Sequence, residues 1–285
     1  MQGPFFSIVI PFKDREELLS ELLNSIKSQT FHDYELIFAV DAYSKLPFKK
    51  TKLIIEKNIE NTLNKDINTQ VVEIPKSKNQ GSSGRSRNYA IDASSGRWLL
   101  FLDSDDIFLP SKLTKMFNII STFPEYDFFT HNFIQKNNVS GAEYEVKFTN
   151  DDVSFQNLLF LKIHFLPSAS CVKRESFYDI GYFSERFKRG QDWDWYLRFL
   201  KTKELQHYHV NSVLTARLID GQNSSDKNFS SNLSDKRRIF ISNLDGVDIN
   251  LKTIIRSSGF LLKLNYQILL YKFIIEPLRH IFKGQ

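Results

Sequence analysis

The sequence predicts an α/β fold: a mostly parallel sheet with helices on both faces, followed by a helical C-terminal extension. Apolar runs that resemble strands alternate with helical patterns through about residue 121. Each run is apolar on both faces, as strands of a covered parallel sheet are. Near residue 224 the chain turns polar before further helical patterns. We therefore predict one domain over residues 1–225 and an extension over residues 226–285.

The elements of the first half follow from β-branched runs and from apolar residues at helical spacing. Asp14, with Glu17 three residues later, matches a capping box and predicts a helix that begins there. In such a sheet, ligands bind outside the carboxyl ends of the strands, which places a site at residues 11–15, 41 and 103–106. The predicted strands are 7–12, 34–40, 70–74 and 98–102, and two further helices are predicted at 84–93 and 110–121.

The second half has weaker patterns. Residues 205–218 predict one or two strands, and Pro277 should break or kink a helical pattern over 257–282. The other predicted strands are 126–134, 144–148 and 166–172, with helices at 152–161 and 191–200.

Composition indicates an ordinary globular protein. The chain has 285 residues, of which 41% are hydrophobic and 25% charged, so it can bury a sizeable core. The single Cys171 cannot form an intramolecular disulfide, which favours a reducing compartment. Neither a signal-peptide pattern nor an apolar run long enough to span a membrane is present, so we predict a cytoplasmic location.

The net charge of +5 is unevenly distributed. Residues 226–285 contain ten of the 38 basic and five of the 33 acidic residues, so residues 1–225 are neutral. A neutral body argues against a nucleic-acid partner. The basic, apolar extension favours peripheral binding at the inner face of the cell membrane. An amphipathic helix packed on the body, or on a second subunit, explains the extension equally well.

Three carboxylates, those of Asp103, Asp105 and Asp106, follow a predicted buried strand. Clustered carboxylates repel one another unless a cation neutralises them. A divalent cation held by one or two carboxylates and a substrate diphosphate suits this pattern. Alone, the cluster is as consistent with a turn that caps the helix after Pro110. The Gly/Ser/Arg-rich segment 79–88 can hold a diphosphate at a helix start, which favours the cation site.

Five segments in order resemble glycosyltransferase family 2, the inverting, nucleotide-sugar-dependent enzymes of GT-A fold. The resemblance covers about residues 5–225. It implies a nucleotide-binding half at 1–106 and an acceptor half at 107–225. The segments are 8–15, 35–41, the Gly-rich 79–88, the Asp-x-Asp motif at 103–106 and the block 180–198.

The resemblance implies a role for individual residues. Asp192 would be the catalytic base, although a helix N-cap is its alternative, and Asp105 would ligate the metal. Arg87 would contact the nucleotide, with Arg85 as the alternative because segment 79–88 is one residue longer than usual. The other implied nucleotide-binding residues are Pro11, Lys13, Arg15, Asp41, which would accept a hydrogen bond from uracil, and Asp103. The implied acceptor-binding residues are Gln191, Trp193 and Asp194, and Trp193 is equally suited to packing.

The resemblance implies transfer of a sugar from a UDP-sugar to a hydroxyl of a glycan or lipid-linked glycan, as in bacterial cell-surface polysaccharide synthesis. A carboxylate base and Mn²⁺ or Mg²⁺ would supply the chemistry. A nucleotidyltransferase-like enzyme is one alternative, but residues 11–15 lack the glycine that its phosphate loop needs. A non-catalytic nucleotide-sugar-binding module is the other, and an apolar residue at position 192 would favour it.

Two departures from the family pattern bear on the site. Ile219 stands where the family often has a His that helps to hold the metal or diphosphate, so we expect metal binding that is either weaker or completed by water. Gln191 replaces a common Glu and removes one charge next to the implied base. The donor sugar, linkage and oligomeric state have no readable pattern.

Overall fold

The computed structural model describes residues 3–64, 66–77, 82–219, 229–244, 259–263 and 265. Nine strands within these residues form one mixed sheet, in the order β3-β2-β1-β4-β8-β6-β9-β5, with β7 paired to β6. The first four strands are parallel neighbours, with β1 between β2 and β4. They are β1 (Phe6–Phe12), β2 (Tyr34–Asp41), β3 (Thr69–Ile74) and β4 (Trp98–Phe101).

Helices cover both faces of this parallel half, as predicted. Alternate residues of β1 point to opposite faces, so Ile8 and Ile10 join one core cluster and Val9 the other. The first cluster includes apolar residues of α1, α2 and α4, and the second includes Ala90 and Ile91 of α3. These helices are α1 (Leu19–Lys27), α2 (Phe48–Thr62), α3 (Ser83–Asp92) and α4 (Lys112–Thr122).

The predicted capping box at Asp14 is wrong. A short 3₁₀ turn, Glu16–Leu18, precedes α1, and its N-cap Arg15 makes no side-chain cap hydrogen bond. Asp14 has a φ of 50°, and its carboxylate accepts a hydrogen bond of 2.6 Å from the backbone N–H of Lys45. Asp tolerates a positive φ, so here it closes a turn after β1 and is no longer available as a cap.

The second half completes the sheet with both strand directions. β8 runs antiparallel to β4 and β6, β9 runs parallel to β6, and β5 runs antiparallel to β9. The region predicted as one or two strands at 205–218 is the single strand β9. β5 was not predicted, because three residues directly after an acidic turn carry no readable alternation. The five strands are β5 (Asp106–Phe108), β6 (Phe128–Asn137), β7 (Glu143–Val146), β8 (Ser170–Lys173) and β9 (His207–Ile219).

Four more helices whose bounds lie within the described residues follow in this half and in the extension. The predicted helix at 152–161 is shorter, and α6 was not predicted. They are α5 (Phe155–Leu159), α6 (Arg174–Ile180), α7 (Gln191–Lys201) and α8 (Phe229–Ser242).

The described part of the extension packs on the body. Ile239 and Phe240 of α8 are fully buried in the second core cluster, and the Phe260 ring lies 4.7 Å from that of Phe240. Across the described ranges, no helix combines the length and apolar character needed to cross a bilayer. The predicted boundary near Ser224, Pro277 and most of the predicted helix at 257–282 lie outside the described residues.

Candidate active site

The loops after β1 and β2 bring Lys13 and Asp41 together. Asp41 is buried at the end of β2, and one of its carboxylate oxygens lies 3.6 Å from Lys13 Nζ. The other oxygen accepts a 2.8 Å hydrogen bond from the backbone N–H of Tyr43, whose hydroxyl donates to the Ser77 carbonyl. Pro11 is buried within β1 in register with Ala39. The first two loops therefore present a cation, a carboxylate and an aromatic ring on one edge of the sheet.

The acidic segment forms a turn between β4 and β5. The Asp106 N–H donates to the Asp103 carbonyl, and the Asp103 N–H donates to Ser168 Oγ at 2.9 Å. Asp105 lies 3.6 Å from a guanidinium nitrogen of Arg15, which joins this turn to the loop after β1. Asp106 opens β5 in register with Arg217 of β9. The three carboxylates thus belong to one turn, at the position where the sequence predicts a cation.

Ionisation of Asp105 and Asp106 is disfavoured. Burial, and then the charge of Asp103, raise the pKa of Asp105 to about 6, against the opposing effect of Arg15. Burial, and then its two acidic neighbours, raise the pKa of Asp106 well above its ordinary value. Because burial removes these carboxyl groups from water, a bound cation would stabilise their ionised forms.

Arg87 links the acidic turn to α7. Its side chain is 2% exposed, pairs with the Asp103 carboxylate and donates to Ser83 Oγ at 3.4 Å. Burial alone would lower the pKa of Arg87, but the charges of Asp103 and Asp192 raise it overall. Arg85 instead donates to the Pro75 carbonyl and lies 3.5 Å from Glu185. Of the two arginines left open by the sequence, Arg87 therefore faces the acidic turn.

The first turn of α7 meets α3 at the same place. Gln191 donates to Ser83 Oγ at 2.7 Å, so Ser83 contacts both Gln191 and Arg87. A Cβ at Gly84 would lie 2.4 Å from Gln191 Cγ, which explains the glycine at this helix contact. Asp192 is half-buried, and its Oδ1 accepts only from the adjacent Trp193 N–H among described groups. The N-cap of α7 is Gly190, so Asp192 is not the cap.

The other predicted acceptor residues have partners in the core. Trp193 is 7% exposed, and its indole N–H donates to the Leu158 carbonyl. Asp194 is buried between Arg198 and Asn243, at 3.1 and 3.3 Å. Their role in acceptor binding stays a prediction. Ile219 ends β9 and accepts a backbone hydrogen bond from Asn138.

Sequence reasoning missed the residues that hold the acidic turn. Besides the Asp103 N–H, Ser168 contacts the Asp106 carboxyl through its hydroxyl. The Ser168 carbonyl accepts from Lys112 Nζ at 2.5 Å and from Thr215 Oγ1 at 2.8 Å. Lys112 is fully buried, and burial lowers its pKa well below the ordinary value. These residues meet only through tertiary structure, so no local pattern marks them.

Sequence reasoning also missed two titratable side chains that interact electrostatically with Asp192, those of His164 and Lys236. Burial lowers the pKa of both His164 and Lys236, and in both the charge of Asp192 opposes that effect. Arg217 acts electrostatically on Asp105 and on His164. Side chains from α8 and from the loop after α5 therefore share one electrostatic environment with the predicted base.

Comparison with known proteins identifies the family. The model of a family described as glycosyl transferase family 2 matches residues 7–181. The chain belongs to glycosyl transferase family 2. The prediction of a glycosyltransferase is therefore confirmed, and this membership disfavours the nucleotidyltransferase-like alternative.

Relatives from two bacteria agree with the family. An uncharacterized glycosyltransferase of Haemophilus influenzae is 29% identical over 211 residues, 73% of this chain and 66% of its own length. The uncharacterized glycosyltransferase YwdF of Bacillus subtilis is 30% identical over 243 residues, 84% of this chain and 82% of its own length. The match to the first relative thus spans slightly less than two thirds of that protein.

Solved structures share the GT-A fold. Staphylococcus aureus TarS 1-349 in complex with UDP-GlcNAc superposes with a TM-score of 0.65 at 19% identity, covering 94% of this chain and 73% of that chain. The mannosyltransferase PcManGT of Pyrobaculum calidifontis, in complex with GDP-Man and Mn²⁺, gives 0.61 at 14% identity, covering 93% and 72%. At these identities the likeness shows the fold, and the predicted GT-A architecture is confirmed.

Proposed function

We propose that this family member transfers a sugar, with inversion, from a UDP-sugar to a hydroxyl of a glycan or lipid-linked glycan. The observation that carries the proposal is the junction at Arg87, which pairs with Asp103 of the acidic turn and lies near Asp192 of α7. Donor diphosphate and acceptor hydroxyl would meet there. UDP-GlcNAc in the TarS complex supports a nucleotide-sugar as donor.

The residues of the chain divide between donor and acceptor. Asp41 would accept a hydrogen bond from the base, with Lys13 and Arg15 beside it, and Arg87 would face the diphosphate. Asp192 would accept the proton of the acceptor hydroxyl as that oxygen attacks the sugar carbon. Its remaining oxygen has no partner among the described groups, which leaves it free to accept this proton.

The acidic turn fits a divalent cation. Asp105 and Asp103 offer oxygen ligands, and burial, followed by the charge of Asp103, raises the pKa of Asp105, so a cation beside it would favour the ionised form. No three His, Cys, Asp or Glu side chains in the described ranges form a metal cage, so the donor diphosphate and water would complete the coordination. Bound there, Mn²⁺ or Mg²⁺ would stabilise the charge of the departing diphosphate. The Mn²⁺ complex of PcManGT supports this assignment.

A thermal-shift screen tests the proposal on the whole chain. UDP, UDP-GlcNAc, UDP-glucose and GDP-mannose are compared with Mn²⁺ and with EDTA. A ligand at 100 times its Kd adds about 2.7 kcal/mol of stability. We expect UDP compounds with Mn²⁺ to raise the melting temperature most. If no nucleotide or nucleotide-sugar stabilises the chain, the proposed donor site is wrong.

We further propose that the basic extension binds an anionic membrane surface, which would bring the site to a lipid-linked acceptor. The excess of five positive charges over residues 226–285 supports this. Each basic residue near such a surface contributes about 1 kcal/mol. Flotation with phosphatidylglycerol vesicles should recover the parent chain, and the triple variant Lys272→Gln, Arg279→Gln, Lys283→Gln should remain unbound. Equal flotation of both, or binding to neutral phosphatidylcholine alone, would contradict it.

A further inference from the structure

α8 of the extension packs directly against the segment that leads into α7. Ile239 is fully buried, and its Cδ1 lies 3.0 Å from the position of a Cβ at Gly190. Gly190 has a φ of 73° and stands two residues before Asp192. A positive φ is natural for glycine, which also leaves the backbone more freedom than other residues would. The approach to the predicted base therefore needs support from outside its own helix.

Asp235 of α8 supplies that support on one side. Its carboxylate Oδ2 accepts hydrogen bonds from the backbone N–H groups of Lys188 and Arg189, at 3.0 and 3.1 Å. The side chain is buried, and its other oxygen lies 3.6 Å from Arg238. Hydrogen bonds to a charged group contribute more than neutral ones. This carboxylate therefore fixes the two residues before Gly190.

Asn243, just after the end of α8, supplies support on the other side. Its amide nitrogen donates to Asp194 Oδ1 at 3.3 Å, while Arg198 holds the second oxygen of the same carboxylate. Both Asn243 and Asp194 are buried. Asp192 thus lies between two contacts of the extension with this segment, one at the residues before Gly190 and one at Asp194.

We propose that α8 is a positioning element, in which Asp235 and Asn243 hold the first turn of α7 so that Asp192 faces the acceptor hydroxyl. This inference rests on the proposed function, which makes Asp192 the base. A base must come within about 2.6–3.2 Å of the acceptor oxygen. A displacement of about 1 Å can cost about 100-fold in rate. Lys236, the neighbour of Asp235, shares the electrostatic environment of Asp192, which agrees with an active-site role for this helix.

The test uses full-length Asp235→Ala and Asp235→Asn, with Ser234→Ala as a control on an exposed position of the same helix. Asn keeps an oxygen that can accept from the two N–H groups. Hydrogen exchange measures the protection of the backbone amides of residues 188–194, and titration calorimetry measures the Kd for UDP. Turnover is measured as the hydrolysis rate of the nucleotide-sugar that stabilises the chain most in the thermal-shift screen.

We expect Asp235→Ala to speed exchange at residues 188–194 and to lower turnover about 10–100-fold, with the UDP Kd within about threefold of the parent. Asp235→Asn should recover most of the turnover, and Ser234→Ala should match the parent. Asn243→Ala, judged by the same criteria, replaces Asp235→Ala if the latter unfolds. Parent-like turnover despite faster exchange would overturn the proposal and leave α8 a packing helix.

Failure of the proposed function looks different. In that case Asp192→Asn would keep its turnover, or no UDP compound would bind, while the exchange of residues 188–194 would still report the contact with α8. Loss of turnover in Asp192→Asn, with parent turnover in Asp235→Ala and Asn243→Ala, would instead leave Asp192 the base and reject the role of α8.

Discussion

Two buried polar networks lie at opposite ends of the parallel strands. At the amino ends, Glu35 is fully buried and accepts from Ser7 Oγ at 2.7 Å and from the N–H groups of Ser95 and Gly96 at 2.5 and 3.0 Å. Asn68 donates to its second oxygen. This carboxylate ties β1, β2 and the turn before β4 together, with a donor for each oxygen.

At the carboxyl ends, Ser168 binds the acidic turn, Lys112 and Thr215. Here burial disfavours the charges of Asp105, Asp106 and Lys112. The Glu35 network is satisfied within the chain, whereas the Ser168 network holds groups that a cation or ligand would stabilise. Ionisable groups whose pKa is shifted by burial therefore lie at the end of the sheet where we propose the active site.

The largest expected effect is a loss of turnover, without a loss of stability or of UDP binding, when the proposed base is replaced. Asp192→Asn keeps the side-chain oxygen that accepts from the Trp193 N–H, so the free energy of unfolding should change little. Loss of a general base costs about 10²–10⁴-fold in turnover. Initial-rate measurements should show that loss, while the UDP Kd stays within about threefold, since a base that acts on the acceptor hydroxyl need not contact the nucleotide. Turnover near the parent rate would exclude Asp192 as the base.

The second prediction separates the two networks by paired substitutions. Glu35→Ala removes the carboxylate that accepts hydrogen bonds from Ser7, Asn68, Ser95 and Gly96, and should cost at least about 3 kcal/mol of unfolding free energy. Ser168→Ala removes the acceptor of the Asp103 N–H and should cost about 1–3 kcal/mol. Only Ser168→Ala should weaken Mn²⁺-dependent UDP binding, by about tenfold, because it displaces the acidic turn. Urea unfolding and calorimetry measure both, and equal UDP Kd values would contradict this division.

The same contrast explains what the sequence could predict. β1, β2 and β4 are buried over their full length, so continuous apolar runs revealed them. The acidic turn is a single run of residues and could be recognised in the sequence. The family resemblance indicated Arg87, with Arg85 as the alternative. Ser168, Thr215 and Lys112 come from three separate elements, and their meeting depends on β8 and β9 joining the sheet out of chain order.

Predictions from local sequence were wrong where a tertiary contact took the side chain away from its expected local partner. Asp14 has the residue type and spacing of an N-cap, but Lys45 of a distant loop takes its carboxylate. The contact of α8 with residues 188–194 could not be predicted from the sequence either, because nothing distinguishes Asp235 and Asn243 from other polar residues in and after a basic helix. Residue type therefore predicts which hydrogen bonds and charges a side chain can offer, whereas tertiary packing determines which groups it contacts.

The last and smallest effect is a gain in stability. The pKa of Asp105 is raised from 3.8 to about 6, so the folded chain binds its proton more tightly than the unfolded chain does. The stability linked to this group is therefore present below about pH 4 and is lost as pH rises through 6. Above that, the ionised carboxylate costs the folded state up to about 3 kcal/mol, at 1.36 kcal/mol for each unit of pKa shift.

Asp105→Asn cannot ionise and avoids this cost. In EDTA at pH 7.5 the variant should be more stable than the parent by about 1–3 kcal/mol, less whatever the ion pair with Arg15 contributes. The difference should shrink toward zero by about pH 4, where the parent is protonated. Asp33→Asn, on an exposed side chain, is the control and should show no such pH dependence. Urea unfolding between pH 4 and 8 measures the difference, and a variant less stable than the parent at pH 7.5 would mean that Arg15 already compensates the charge. The same variant should lose Mn²⁺-dependent UDP binding, because the carboxylate that destabilises the metal-free folded chain at pH 7.5 is the one that would hold the cation.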